Sequence, residues 1–499
     1  MAPDESPSQL LQLLQLPDPC LLAVLQCCAG DPCSLFSAAR AHSRVHQAAV
    51  VALSSLTAGK VTQQRLDSVL LYLAKHGEHV DSMDLEGIYE GKQGRLARLR
   101  QLPTNMQLDS MQFIKMHLQM QPGSDFQGLV RAGLPLKQLR VLDCQLLDGM
   151  EGLAAALAML PGLEHLSIAF TAILAGDAEG GRRLPTYWLS GLQQLTYLEL
   201  ALVNVQGPDQ GQPALQPLQA LIRLVDLRLD ARAVVSSSML SGMKHLTRLE
   251  AVRGANLEPA ALAAQTQLQH LYFSVFRLPV AAQLLPQLQH LQQLTHLRCW
   301  CEMIDGGTPP AAAFAPLTAS SKLQHLDLSV CKLPAGVWQH VFPAGRQLPH
   351  LTSLCLPFVT ETSDGAGMWD ILPRAAVPEG SRLVACCPGL QSLDIQHLQY
   401  SAEQLAPLQG LSGLHTLYVS AGDASAGIEV ACQLTGLREL HLDCSREPPD
   451  DAEGLLLQFT HLEQLTNLTI KEGWRAQKQY VLDDQVRIRE RLGERTCLI

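Results

Sequence analysis

The chain has 499 residues, of which 47% are hydrophobic, 17% charged and 5% aromatic, and 93 of them are leucine. So many apolar residues with so little charge exclude a disordered chain, and 36 glycines are too few for a collagen-like repeat. The formal net charge of −10 gives no electrostatic reason to bind nucleic acid or an anionic membrane. The excess of one residue type suggests that one unit is repeated along the chain.

The first sixty residues have a helical pattern. Apolar residues recur at spacings of three and four on either side of proline-containing turns at Pro17 and Pro32, which predicts a small bundle of three short helices. The chain begins MAPDESPSQLLQ, and this acidic start lacks the basic residues of a secretory signal. We therefore expect residues 1–60 to form a helical head.

This head resembles an F-box, the motif through which ubiquitin-ligase substrate receptors bind a Skp-type adaptor. The order Leu-Pro-Asp, apolar helix, Asp-Pro turn and Ser-Leu-Phe carries the resemblance, while Ala39 and Ser43 stand where the motif usually has Val and Trp. The resemblance implies a set of adaptor-binding residues: Leu16, Pro17, Leu21, Leu22, Leu25 and Leu35. The alternative is a plain helical cap that shields the first repeat.

A leucine motif, L-x-x-L-x-L with conservative replacements, recurs after the head in steps of 22 to 39 residues. Its copies start at Leu139, Leu163, Leu195, Leu224, Leu246, Leu268, Leu294, Leu323, Leu351, Leu390, Leu414, Leu437 and Leu465. Weaker copies precede these at Val80 and near Leu108 or Phe113. Alternate leucines of each copy point to one side of a short strand, and stacked copies bury them in one core.

The segments between the motifs, for example 258–267 and 334–342, predict short helices or 3₁₀ turns. The whole pattern resembles the leucine-rich-repeat family. The resemblance implies an α/β solenoid, with a curved parallel sheet on the concave side and helices and 3₁₀ turns on the convex side. We expect this solenoid over residues 61–473 and a terminal capping helix over 474–499.

No motif for catalysis or cofactor binding is found. The chain has no GxxxxGK[ST] phosphate loop, no HExxH and no GxSxG, and its fourteen cysteines form no CxxC pair. The cysteines lie mostly in leucine-rich stretches, which predicts free buried thiols in a reducing compartment. The sequence therefore predicts neither an enzyme, nor a metal, nor a cofactor.

The concave face is where the sequence places a binding site, because the residues between the strand leucines point there. Three consecutive repeats carry the candidate partner-binding residues His270 and Tyr272, then His296, Arg298 and Trp300, then His325 and Asp327. Neighbouring strands lie about 4.8 Å apart, so the histidines are expected to form a ladder. Tyr, Trp and Arg are typical of interface hot spots. The alternative is that the segment Leu-Gln-His-Leu was simply duplicated with the repeats and has no binding role.

A second surface of mixed charge is predicted at the same places of other repeats. Its residues are Glu199, Asp226, Arg228, Asp230, Arg248 and Glu250. They could attract a basic partner, or they could form an ordinary solvated sheet face.

These observations favour a protein–protein interaction module, with its target on the concave face and a Skp-type adaptor on the head, acting as the substrate receptor of a cullin–RING ubiquitin ligase. The alternative is a cytoskeletal or axonemal scaffold whose head only caps the solenoid. Either role predicts a cytoplasmic protein, or a nuclear or cytoskeletal one, with protein partners and neither nucleic acid nor membrane.

Overall fold

The computed structural model of the chain describes part of its residues. These are 55–87, 98–99, 103, 106, 108–118, 135–146, 150–173, 187–202, 216–230, 234–252, 256–275, 278–301, 309–331, 333–356, 360–361, 370–371, 379–396, 402–420, 430–443, 459, 462–472 and 476–481. The chain divides into two compact units, residues 1–233 with 242–245 and residues 234–241 with 246–499. Residues 1–54 of the predicted head lie outside the described residues. Its last residues, 55–60, were predicted to be helical but belong to a strand, Ser55–Val61, because they pair in parallel with Ser82–Gly87 at the start of the sheet.

The first unit contains parallel strands joined by helical segments. Its strands are β1 (Ser55–Val61), β2 (Ser82–Gly87), β3 (Arg98–Leu99), β4 (Ser110–Ile114), β5 (His117–Leu118), β6 (Gln138–Leu146), β7 (His165–Ile173), β8 (Tyr197–Leu202) and β9 (Asp226–Asp230). Its helices are α1 (Gln63–His76) and α2 (Met150–Ala158), with 3₁₀ turns at Gly77–His79, Tyr187–Gly191 and Gln216–Ala220. Strands β1, β2, β4, β6, β7, β8 and β9 pair in that order, all parallel.

The second unit repeats this arrangement. Its strands are β10 (Val234–Val235), β11 (Arg248–Val252), β12 (Asn256–Leu257), β13 (His270–Val275), β14 (His296–Cys301), β15 (His325–Cys331), β16 (Ser353–Cys355), β17 (Thr360–Glu361), β18 (Asp370–Ile371), β19 (Ser392–Ile395), β20 (Thr416–Ser420), β21 (Glu439–Asp443), β22 (Asn467–Glu472) and β23 (Ala476–Val481). Strands β11, β13, β14, β15, β16, β19, β20, β21 and β22 pair in that order, all parallel.

Helical segments connect the strands of the second unit. They are α3 (Ser237–Leu240), α4 (Pro259–Ala263), α5 (Leu278–Leu284), α6 (Trp338–Val341), α7 (Gly380–Cys386) and α8 (Ala402–Leu405), with 3₁₀ turns at Leu285–His290, Ala311–Thr318 and Ala406–Gly410. Local sequence explains where they begin. The Ser236 hydroxyl accepts from the Met239 N–H at 3.4 Å and caps α3, and Pro259 fits the first turn of α4, where an N–H is not needed.

The leucines of each motif form the core, as their period predicts. Leu268, Leu271 and Phe273, which belong to one motif, are each at most 2% exposed. The residues that alternate with them in β13 lie on the opposite side of the sheet, which we call the open face. Burying a leucine side chain contributes about 2 kcal/mol, so the stack of motifs supplies most of the stabilising free energy.

Main-chain hydrogen bonds set the register between repeats. The Thr247 carbonyl accepts from both the Gln269 N–H, at 2.8 Å, and the His270 N–H, at 2.9 Å. The Gln269 carbonyl does the same for the amides of Thr295 and His296. The same pair of hydrogen bonds to one carbonyl recurs at later repeats. Each strand therefore starts level with its neighbour, and equivalent side chains lie side by side.

The predicted fold class is confirmed: each unit is an α/β leucine-rich-repeat solenoid of parallel strands with helices and 3₁₀ turns between them. Twelve of the thirteen motif starts lie two residues before a strand, from Leu163 before β7 to Leu465 before β22, whereas Leu139 lies inside β6. The weaker copies correspond to β2 and β4. The helices predicted within 258–267 and 334–342 are α4 and α6.

The structure differs from the sequence analysis at the C-terminal end. Residues 476–481, predicted to begin a capping helix, form β23, which pairs antiparallel with β22. The physical reason is the edge of the sheet, because the last parallel strand has free backbone N–H and C=O groups that another strand can satisfy. Residues 482–499 lie outside the described part of the chain.

Candidate functional site

Two rows of side chains run across the open face of the second unit, one residue for each strand. The first row consists of Arg248, His270, His296, His325, Ser353, Ser392, Thr416 and Glu439. The second row consists of Glu250, Tyr272, Arg298, Asp327, Cys355, Asp394, Tyr418 and His441. All seven predicted partner-binding residues lie in this unit, and six of them belong to these rows.

The predicted histidine ladder is present in the first row. The ring centres of His270 and His296 are 4.1 Å apart, as are those of His296 and His325, and the planes are inclined by 28° and 20°. The Thr295 hydroxyl lies 2.9 Å from Nδ1 of His296, which helps to hold the middle ring. The register of β13, β14 and β15 therefore produces a continuous stack of three imidazole rings.

Burial within this stack disfavours protonation of the middle ring. Burial, the neighbouring rings of His270 and His325 and the nearby Arg248 guanidinium together lower the pKa of His296 from 6.5 to about 4. Burial also lowers the pKa of His325. At neutral pH the middle of the ladder is thus an uncharged aromatic surface.

Acidification is expected to destabilise the second unit through His296. Its folded pKa lies below the unfolded value, so the unfolded chain takes up the proton first. The stabilisation is complete above pH 6.5 and is lost as the pH falls through about 4. Because the ring is half-buried, we expect a loss of about 1 kcal/mol after solvent screening.

The measurement is the urea midpoint at pH 7 and pH 4.5 for the wild type and for His296→Gln, which should show the smaller fall. His290→Gln, a change at an exposed histidine outside the rows, is the control. An equal fall in His296→Gln and the wild type would contradict this assignment.

Beside the ladder, the second row contains a connected group of ring, cation and carboxylate. The Arg298 guanidinium carbon lies 4.7 Å from the centre of the Tyr272 ring, and Arg298 Nε lies 3.0 Å from Asp327 Oδ2. Arg298 is half exposed, whereas the Asp327 carboxylate is more shielded. The ion pair is charge-compensated, and the ring holds the guanidinium in place.

Trp300 is half-buried and lies two residues after Arg298 in β14, on the same face of the sheet. It is level with Ser274 on one side but with Val330, not the expected Ser329, on the other. The Ser329 N–H donates instead to Asp327 Oδ1 at 2.9 Å. A side chain that captures a nearby N–H removes it from the strand ladder, and this explains the irregularity in β15.

The predicted mixed-charge surface is divided between the units. In the second unit, Arg248 donates through two nitrogens to Glu250, at 3.0 and 2.6 Å. In the first unit, Arg228 pairs with Asp226 at 3.1 Å and lies over the Tyr197 ring at 5.1 Å. The charges of these two pairs are compensated within the chain. They therefore leave no unpaired charge that could attract a partner in the way predicted from the sequence.

Glu199, a residue of the predicted mixed-charge surface in the first unit, accepts from the hydroxyls of Ser167 and Tyr197 at 2.6 and 2.8 Å. One group of the second unit was missed at the sequence level: the rings of Tyr418 and His441 stack with centres 4.1 Å apart and planes inclined by 5°. These side chains occupy the same places in their repeats as Arg298 and Asp327, so the rule that found the first site would also have found the second.

The described cysteines are free, and several are deeply buried. Cys299, Cys301 and Cys331 lie in the core behind the ladder, where the Cys331 thiol donates to the Cys299 carbonyl at 3.0 Å. Contacts with the Cys301 and Cys331 thiols raise the pKa of Cys299, and burial raises it further. In the described part of the chain, no group of three His, Cys, Asp or Glu side chains is placed to hold a metal ion.

The other predicted site is not covered by the described residues. The six adaptor-binding residues, Leu16, Pro17, Leu21, Leu22, Leu25 and Leu35, lie outside them. Of the helices that the structure does describe, none has the length and apolar character needed to cross a membrane.

Comparison with solved structures gives leucine-rich-repeat proteins at low identity. The internalin InlF of Listeria monocytogenes is 19% identical, with 70% of this chain and 84% of that chain covered and a TM-score of 0.39. TLR13 in complex with ssRNA13 is 18% identical, over 79% of this chain and 62% of that chain, with a TM-score of 0.42. The plant peptide hormone receptor RGFR1 in complex with RGF2 is 13% identical, over 85% and 76%, with a TM-score of 0.37.

No protein-family model matches the chain, and no curated protein matches it. Structural similarity at such low identity says nothing about ligands.

Proposed function

We propose that the protein binds another protein through the open face of its second unit. The supporting observation is that the histidine ladder, the Tyr272–Arg298–Asp327 group and Trp300 lie on the same face of three neighbouring strands, β13, β14 and β15. Large rings and a guanidinium that are already held in place lose little conformational entropy on binding, which is why such residues dominate interface energies. The His296 ring at the middle of the ladder is uncharged at neutral pH and costs little to desolvate.

A catalytic role has weaker support. Burial raises the pKa of the Cys355 thiol, and the Asp394 and Asp327 carboxylates raise it further, which is the opposite of what a nucleophile needs. Most of the strong charges on this face are already paired with one another. We therefore propose a binding module without catalytic chemistry of its own.

Replacing Tyr272 and Trp300 by alanine is expected to reduce recovery of the bound partner by at least about tenfold, because both rings supply contact area. Tagged full-length protein is cross-linked in an extract of its source cells, and partners are quantified by mass spectrometry. The double variant Gln289→Ala, His290→Ala changes exposed residues outside the rows and is the matched control. Equal recovery with both double variants, at unchanged thermal midpoints, would exclude this surface.

We further propose that the chain is a substrate receptor of a cullin–RING ubiquitin ligase in the cytoplasm. The support is the order of the chain, with an F-box-like head directly before leucine-rich repeats. The alternative is a scaffold in which the head only caps the first repeat. Co-purification with a Skp-type adaptor separates the two roles.

A further inference from the structure

The second row contains two similar groups, and one of them lacks a component. In the first group Tyr272, Arg298 and Asp327 lie on three successive strands, and the guanidinium contacts both the ring and the carboxylate. In the second group Asp394, Tyr418 and His441 also lie on three successive strands. This second group has a carboxylate and stacked rings but no arginine.

The side chains of the second group are fixed by their neighbours. Asp394 accepts from the Cys355 thiol at 3.3 Å through Oδ2 and from the Gln396 N–H at 3.1 Å through Oδ1. The stacking of Tyr418 on His441 orders both rings. The carboxylate and the rings are therefore preorganised, as the partners of Arg298 are in the first group.

The charges differ between the two groups. Glu250 and Asp327 form ion pairs with arginines of the same face. Neither Asp394 nor Glu439 forms an ion pair among the described residues, and Glu439 accepts only a 3.4 Å hydrogen bond from the Thr416 hydroxyl. Arg438 directly precedes Glu439 in the chain, and it forms an ion pair with neither Asp394 nor Glu439.

The surrounding groups respond to this uncompensated negative charge. Burial raises the pKa of Tyr418, and the carboxylates of Glu439 and Asp394 raise it further. Burial lowers the pKa of His441, while the same two carboxylates act in the opposite direction. On the far side, β22 places Asn467 level with Glu439 and Thr469 level with His441, and both are uncharged.

We propose that Asp394, Tyr418 and Glu439 receive the guanidinium group of an arginine from a protein partner, which supplies the cation that Arg298 supplies within the chain. An arginine fits better than a lysine, because its planar group can stack on a ring while donating to carboxylates. This inference rests on the proposed function, since it names a partner side chain for the same open face.

The probe is a fluorescein-labelled peptide, Gly-Arg-Gly-Arg-Gly-Arg-Gly, whose binding to the full chain is followed by anisotropy at low salt. Its twin with citrulline has the same shape without the charge, and a lysine twin keeps the charge without the planar group. We expect the arginine peptide to bind at least about tenfold more tightly than the citrulline twin, and also more tightly than the lysine twin.

The double variant Asp394→Asn, Glu439→Gln is expected to weaken binding of the arginine peptide about fivefold. The control Glu403→Gln, Glu463→Gln removes two exposed carboxylates outside the rows, so the net charge changes equally, and its effect should stay below about twofold. Tyr418→Leu keeps both carboxylates and should reduce the preference for arginine over lysine. Circular dichroism and the thermal midpoint show whether each variant is folded.

Equal weakening in the two charge variants would overturn the proposal, because it would indicate a general effect of net charge. An unchanged arginine preference in Tyr418→Leu would overturn the role of the ring. The partner-recovery experiment on Tyr272 and Trp300 tests the proposed function independently of the arginine site. Loss of recovery there with unaltered peptide binding in the Asp394 and Glu439 variant would refute the arginine site and leave the proposed function standing.

Discussion

Leu326→Ala is expected to lower the free energy of unfolding by about 3 kcal/mol. Leu326 is 1% exposed and lies level with Leu297 and Leu354 on the neighbouring strands, which are equally buried. Removing three carbon atoms there leaves a cavity that a regular stack cannot close, because each repeat is held in register by its main chain. Urea unfolding followed by circular dichroism measures the loss.

The matched control is Leu71→Ala, the same chemical change at a leucine that is 63% exposed. It should cost less than about 0.5 kcal/mol. A cost below about 1 kcal/mol for Leu326→Ala would mean that the core behind the histidine ladder repacks freely. That result would contradict the close packing on which the fixed geometry of the open face depends.

Changing Leu21 and Leu25 to aspartate is expected to abolish recovery of a Skp-type adaptor with the full-length chain. The resemblance to an F-box assigns these leucines to the helix that packs on the adaptor, and two unpaired charges in an apolar contact would cost several kcal/mol, or more than about a hundredfold in affinity. Co-purification of tagged chain and adaptor, followed by quantitative blotting, measures the effect.

Tyr272→Ala with Trp300→Ala is the control for this experiment, because it should retain the adaptor while losing the open-face partner. If the wild type and the leucine variant recover the same amount of adaptor, the ligase role fails. The scaffold alternative would then remain, with the open-face surface unaffected.

Much of the fold could be predicted from the sequence because the signal is repeated. A motif such as Leu268, Leu271 and Phe273 predicts both where a strand lies and which of its sides is buried, and the next motif makes the same prediction again. The ladder of His270, His296 and His325 followed from counting along three equivalent motifs. Its interplanar angles and lowered pKa values depend on packing that no single motif encodes.

The rest depended on interactions that do not repeat. Ser329 leaves the expected register because a single carboxylate, Asp327, captures its N–H. β23 forms after the last repeat, so no earlier copy of the motif predicts a strand there. The arginine site was overlooked because its defining feature is a missing cation beside Asp394, and a missing ion pair becomes visible only when the neighbours of each carboxylate are known.

The doubly accepting carbonyls, such as that of Thr247, bear on how this surface can change over evolutionary time. Because backbone atoms set where each strand starts, a substitution on the open face leaves the starts of the strands level with one another. Positions in a row whose side chains do not pair with a neighbour can therefore mutate almost independently, and recognition can change one residue at a time in steps of about 4.8 Å. Such a surface can acquire a new partner without passing through an unfolded ancestor.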